Sequence, residues 1–142
     1  MPSAPRPQRI LETALYAADL DAAEAFYGDV LGLERAARAG ERHVFFRLEG
    51  AMLLIFNPAE TEPPPAPDAR LPVPPHGARG PGHLAFAAAA ADLDAWRARL
   101  EAAGVAIEAD FRWPNGARSI YVRDPAGNSV EFAEPRLWDF PG

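Results

Sequence analysis

Apolar and polar positions along the chain fall into two similar halves. Ile10-Leu11-Glu12-Thr13-Ala14-Leu15-Tyr16 alternates as a strand does. It is followed by Leu20, Ala23, Phe26, Tyr27, Val30 and Leu31 at the three- and four-residue spacings of an amphipathic helix. His83-Leu84-Ala85-Phe86-Ala87 is a second such strand, with Leu93, Trp96, Leu100 and Val105 as the helical stripe after it. Asp19 and Asp92 stand where an N-cap carboxylate accepts backbone N–H bonds, and Gly32 and Gly104 follow as left-handed stops. The echo extends to identity, since Ala18-Asp19-Leu20-Asp21-Ala22 recurs as Ala91-Asp92-Leu93-Asp94-Ala95.

Three extended segments follow each helix. In the first half they are 33–39, 43–48 and 51–56; in the second, 105–111, 119–123 and 129–133. Asp124-Pro125-Ala126-Gly127-Asn128 supplies the last hairpin turn. The expectation is an α+β fold, with two tandem βαβββ modules forming a curved mixed-sheet half-barrel around a central site. Module 1 covers about 8–57 and module 2 about 82–134. Residues 58–81 hold nine prolines, which cannot donate to a ladder, so this stretch reads as a linker, with a lid as the functional alternative. In the tail, 135–142, the Trp138 and Phe140 rings are expected to pack on a partner or the domain edge.

Composition narrows the chemistry. The net charge of −6 argues against nucleic acid, which demands clustered cations. No apolar run approaches the ~20 residues of a membrane span, and the proline-rich start lacks a signal-like core. The absence of cysteine removes disulfides and thiolates, and the absence of lysine removes Schiff-base chemistry. A cytoplasmic location is expected.

Strand alternation then nominates side chains. With Leu11, Thr13 and Leu15 toward the helices, Glu12 faces the concave side of its sheet. The same reasoning turns His83 and Glu131 inward, and makes Leu53 the first-module counterpart of Glu131. Two carboxylates converging on an apolar concave surface repel unless a cation intervenes. Glu12, His83 and Glu131 are therefore expected to hold a divalent metal. Ser119 and Tyr121 share the inward face of their strand. Phe45 and Arg47 are the first-module counterparts of Tyr121 and Arg123, giving an apolar wall and an anion clamp. Trp113 is a candidate pocket wall. His43 and His76 are expected at the surface.

Leu11-Glu12 through Val30-Leu31-Gly32-Leu33, Gly82-His83-Leu84-Ala85-Phe86 and Asp124 to Glu131 together resemble the vicinal-oxygen-chelate superfamily of glyoxalases, bleomycin-resistance proteins and extradiol dioxygenases. The resemblance implies metal ligands at Glu12, His83 and Glu131, and a substrate-contacting role for Tyr121. It implies a homodimer, in some relatives with each site shared between subunits. Two departures stand out. Glyoxalase I enzymes carry a fourth ligand, usually Glu, where Leu53 stands here. Dioxygenases and fosfomycin-modifying relatives place His where this chain has Glu12.

The leading expectation is a metal-dependent lyase, isomerase or transferase acting on a small vicinally oxygenated substrate, with Mn²⁺, Fe²⁺, Zn²⁺ or Ni²⁺ as Lewis acid and Glu131 or Glu12 moving a proton. The rival expectation is a metal-free protein that sequesters a drug or metabolite, as bleomycin-resistance proteins do.

Overall fold

A computed structural model describes all 142 residues. Module 1 contains β1 (Glu12–Tyr16), α1 (Leu20–Glu24), β2 (Glu34–Ala39), β3 (His43–Leu48) and β4 (Ala51–Phe56). After a short α2 (Pro58–Thr61) come β5 (His83–Ala87), α3 (Leu93–Ala102), β6 (Ala109–Arg112), β7 (Arg118–Arg123) and β8 (Ser129–Ala133). The fold is α+β, with the βαβββ order present twice. Each module makes a four-stranded mixed sheet, ordered β1-β4-β3-β2 and β5-β8-β7-β6. β1 runs parallel to β4, and β5 parallel to β8. No ladder joins the two sheets, and β1 and β5 are each edge strands with a neighbour on one side only.

A single apolar core holds the modules together. Val44, Phe46, Leu53 and Ile55 of the first sheet meet Ile120, Val122, Val130 and Phe132 of the second through Leu20, Tyr27, Leu93 and Leu100. Both sheets turn their helix-side residues to this core, so their remaining faces look outward.

Several local readings change. Asp19 caps α1 as expected, accepting from the Ala22 N–H at 3.0 Å. Asp92 does not cap α3; it ends a 3-10 turn, Ala90–Asp92, that leads into the helix. The first helix passes into a π-helical stretch, Ala25–Val30, before Gly32 stops it at φ 79°. The strand expected from Val105 begins only at Ala109, because Val105 and Ile107 pack against the core instead of entering a ladder. The proline-rich segment is not wholly irregular. Asn57 accepts from the Ala59 N–H and starts α2, with Pro58 at a helix position that needs no donor.

α3 is fastened to the second sheet by ion pairs. Arg118 grips Asp110 with two bonds of 2.8 and 2.7 Å, and Arg97 reaches the same carboxylate at 2.6 Å. Chiefly through the Arg118 hydrogen bonds, Asp110 is held down at about 2, against an ordinary 3.8. A depressed carboxylate stabilises the fold above its unfolded pKa and loses that contribution as pH falls through the folded value. Between pH 3.8 and about 2 the native protein should therefore lose on the order of 1 kcal/mol from this group, allowing for solvent screening. Thermal melts of wild type and Asp110→Asn should converge across that window; a constant gap down to pH 2 would contradict the assignment.

Candidate active site

The outward face of the second sheet gathers most of the candidate residues. On it lie His83, Ala85 and Ala87 of β5, opposite Ser129, Glu131 and Ala133 of β8, with Ser119 and Tyr121 of β7 beyond. His83 Nδ1 lies 3.0 Å from the Ser129 carbonyl oxygen. A carbonyl only accepts, so Nδ1 carries the hydrogen, and in the neutral ring Nε2 presents a lone pair. That Nε2 lies 3.2 Å from Glu131 Oε1, on a carboxylate only 5% exposed. Lone pair against carboxylate oxygen is repulsive unless a proton or a cation mediates, and this donor set fits a divalent ion.

The other carboxylate oxygen is fixed from behind. Ser119 Oγ–H donates to Glu131 Oε2 at 2.5 Å, and Trp113 Nε1–H donates to Ser119 Oγ at 2.8 Å. Ser119 is fully buried. It lies behind Glu131, and Trp113 joins the same chain of donors from the preceding loop. Tyr121 stays on the open face, stacked parallel to Phe111 and facing the His83 ring. Burial first, then Glu131, raises its phenol to about 12, so it works as a neutral hydroxyl and not as a base.

His83 is positioned by the final turn. Asn128 Oδ1 accepts from the Gly82 N–H at 2.8 Å, and Asn128 Nδ2 donates to the Tyr16 carbonyl and to Asp124. A Cβ on Gly82 would meet Leu15 Cδ2 at 2.9 Å, so a larger residue where β5 begins against module 1 would have to displace the Leu15 side chain. The sequence reading saw only a hairpin turn here; nothing local signals that Asn128 ties both modules to the strand bearing His83.

Glu12 lies elsewhere. It sits exposed at the start of β1, on the outward face of the first sheet. No group of three His, Asp or Glu side chains within one chain is placed to hold a metal ion. The chain brings together His83 and Glu131 and leaves Glu12 apart. Register also corrects its counterpart: Ala14 pairs with Leu54 as Ala85 pairs with Glu131, so Leu54, not Leu53, matches Glu131. Leu53 belongs to the core.

Phe45 and Arg47 occupy the outward face of the first sheet, away from His83. His43 and His76 are not free surface histidines. His43 stacks on Phe45 at 4.0 Å, and its buried Nδ1 has no partner; burial, with Arg42 nearby, lowers its pKa. His76 Nδ1 pairs with Tyr16 Oη at 2.7 Å and packs on Phe56. That contact and the Arg42 guanidinium, which donates to the Glu60 carbonyl at 2.7 Å, pin the proline-rich segment over this face, above a cavity of about 600 Å³.

Two βαβββ modules, with an imidazole–carboxylate pair on the open face of the second sheet, define a paired-module α+β protein. The chain belongs to the Glyoxalase/Bleomycin resistance protein/Dioxygenase superfamily, whose model matches residues 9–132. Among solved structures it is similar to lactoylglutathione lyase from Agrobacterium tumefaciens, at 52% identity over 94% of this chain and 98% of that one, with a TM-score of 0.87. A glyoxalase/bleomycin resistance protein/dioxygenase from Nocardioides shares the fold at 23% identity and TM-score 0.71, covering 93% and 85% of the two chains. No curated protein matches the sequence. No helix is long and apolar enough to cross a membrane.

Proposed function

We propose that the protein is a cytoplasmic, metal-dependent, glyoxalase-like lyase, isomerase or transferase acting on a small vicinally oxygenated substrate. We further propose that it works as a homodimer in which His83 and Glu131 of one copy meet Glu12 of a second. The observation that carries this reading is the His83 tautomer. Its Nδ1–H is committed to the Ser129 carbonyl, leaving Nε2 open 3.2 Å from the buried Glu131 Oε1. Open edges at β1 and β5 support the dimer, since each is a strand without a neighbour on one side.

A divalent ion (Mn²⁺, Fe²⁺, Zn²⁺ or Ni²⁺) would supply Lewis-acid polarisation of a substrate oxygen. The protein's own groups do the rest. Trp113 and Ser119 hold Glu131 in place, so that a single oxygen faces the site. Tyr121, protonated at neutral pH, donates a hydrogen bond to a substrate oxygen. Glu12, exposed in the single chain, is the carboxylate free to accept a proton. The lyase name of the 52%-identical relative supports the reaction class. Leu54 stands where four-ligand glyoxalases carry a carboxylate, so the donor set proposed here has three members.

The competing reading is a metal-free binder. It is favoured by the aromatic face of the first sheet, where Phe45, Phe56 and His43 line the cavity beneath the proline-rich segment. Thermal melting with and without added Zn²⁺, Mn²⁺ or Ni²⁺ separates the two. Metal binding to the native state should raise the wild-type melting temperature, by about 2.7 kcal/mol of stabilisation at a hundredfold excess over Kd, and leave His83→Ala unmoved. No shift with any ion would favour the binder.

A further inference from the structure

Beside Glu131 lies a cavity of about 180 Å³. Its floor is small: Ala85, Ala87 and Ala133 sit on the outward sheet face, one strand step beyond the His83–Glu131 pair. Its wall is the C-terminal tail, with Trp138 and Phe140 lining it while remaining 75% and 65% exposed in the single chain.

Such exposure is not looseness. Arg136 bonds Glu134 at 2.9 Å and the Gly116 carbonyl at 2.7 Å, Asn115 Nδ2 donates to the Arg136 carbonyl, and Glu134 accepts from the Arg118 N–H at 2.7 Å. Asp139 adopts φ 61°, a left-handed conformation that is strained for a non-glycine residue, and turns the chain so that Phe140 N–H bonds the Pro135 carbonyl. The backbone that carries these two large rings is thus held in place beside a buried carboxylate, with the rings largely open to one side. Rings presented this way contribute contact area with little ordering cost on binding.

We propose that this cavity receives an aryl or similarly compact apolar group of the substrate, with Trp138 and Phe140 as its specificity-determining wall. The oxygens of the same molecule then face the His83–Glu131 end, a distance of ~7 Å being covered by each two-residue strand step. Size supports the class: a cavity of ~150 Å³ lined by apolar side chains takes a benzene ring. The proposal rests on His83 and Glu131 being metal donors, and its test separates the two.

Zn²⁺-loaded protein is titrated with acetohydroxamate and with benzohydroxamate, which offer the same oxygen pair with and without a ring. Calorimetry gives both affinities, and tryptophan fluorescence reports contact with Trp138. Benzohydroxamate should bind roughly tenfold tighter or better, from the added apolar burial. In Trp138→Ala/Phe140→Ala that preference should collapse while acetohydroxamate affinity stays the same; Trp138→Phe should keep most of it. Equal affinity for the two chelators in the wild type, or a preference that survives the double substitution, overturns the wall while leaving the metal reading intact. Loss of dimerisation in the double variant with the preference unchanged assigns the rings to a second copy instead, and likewise overturns it. Failure of both chelators to bind removes the metal reading and this inference with it.

Discussion

Glu131→Gln should lose metal affinity roughly 100-fold or more while remaining folded. Residues that only orient a metal ligand are worth 10–100-fold in affinity, so removal of a donor itself falls at or beyond the top of that range. The fold should survive the change, because a glutamine amide keeps the size of the side chain, accepts from Ser119 Oγ–H through its oxygen and donates toward His83 Nε2 through its nitrogen. Calorimetric metal titration and thermal melting on one preparation give both numbers. A variant that binds metal normally, or one that unfolds, would show Glu131 to be a structural carboxylate. Ser119→Ala is the milder companion, expected to lower affinity by roughly 10-fold or more, because it releases Glu131 Oε2 without removing a donor.

The largest stability loss is expected far from the metal donors, at Asp124→Ala. This carboxylate, 5% exposed, accepts from Tyr27 Oη at 2.7 Å and from Asn128 Nδ2, Asn128 N–H and Ala126 N–H, each at 2.9 Å. Burial and then Asp124 push the Tyr27 phenol well above its ordinary range, so it remains a donor throughout. Alanine would leave these four donors without their acceptor, three of them in or next to the core, at about 1 kcal/mol each. A loss of about 3–4 kcal/mol follows, or roughly 10 °C in melting temperature for a chain of this size. Tyr27 belongs to the first module and Asn128 to the second, so the substitution should also weaken metal affinity by releasing Gly82 and His83. A loss below about 1 kcal/mol would mean that the turn holds itself together without Asp124.

What the sequence disclosed, and what it did not, follows from the range of each interaction. The strands, and the placement of Glu12, His83 and Glu131 on the faces opposite the helix-packing residues, were legible because alternation is local and the two halves repeat it. The Asp19 cap and the Gly32 stop are equally local. Asp92 was misread because a cap residue and the last residue of a 3-10 turn look alike in sequence. Leu53 was aligned with Glu131 by counting; only the ladder pairing of Ala14 with Leu54 sets the register. Ser119 was placed on the correct face, yet its burial, and hence its role behind Glu131, depends on Trp113 folding over it from the preceding loop. The separation of Glu12 from its expected partners was beyond reach, since the outward turn of both sheets is a property of the shared core and not of any one strand.

Subunit complementation tests most directly whether three donors from two copies make one site. Glu12→Gln and His83→Ala chains are each expected to be metal-free and inactive alone. Unfolded together and refolded as a mixture, about half the dimers are hybrids, each with one intact site of two, so metal content should recover to about a quarter of wild type. A mixture as empty as its two components would contradict the shared site, and with it the account of how Glu12, His83 and Glu131 act together.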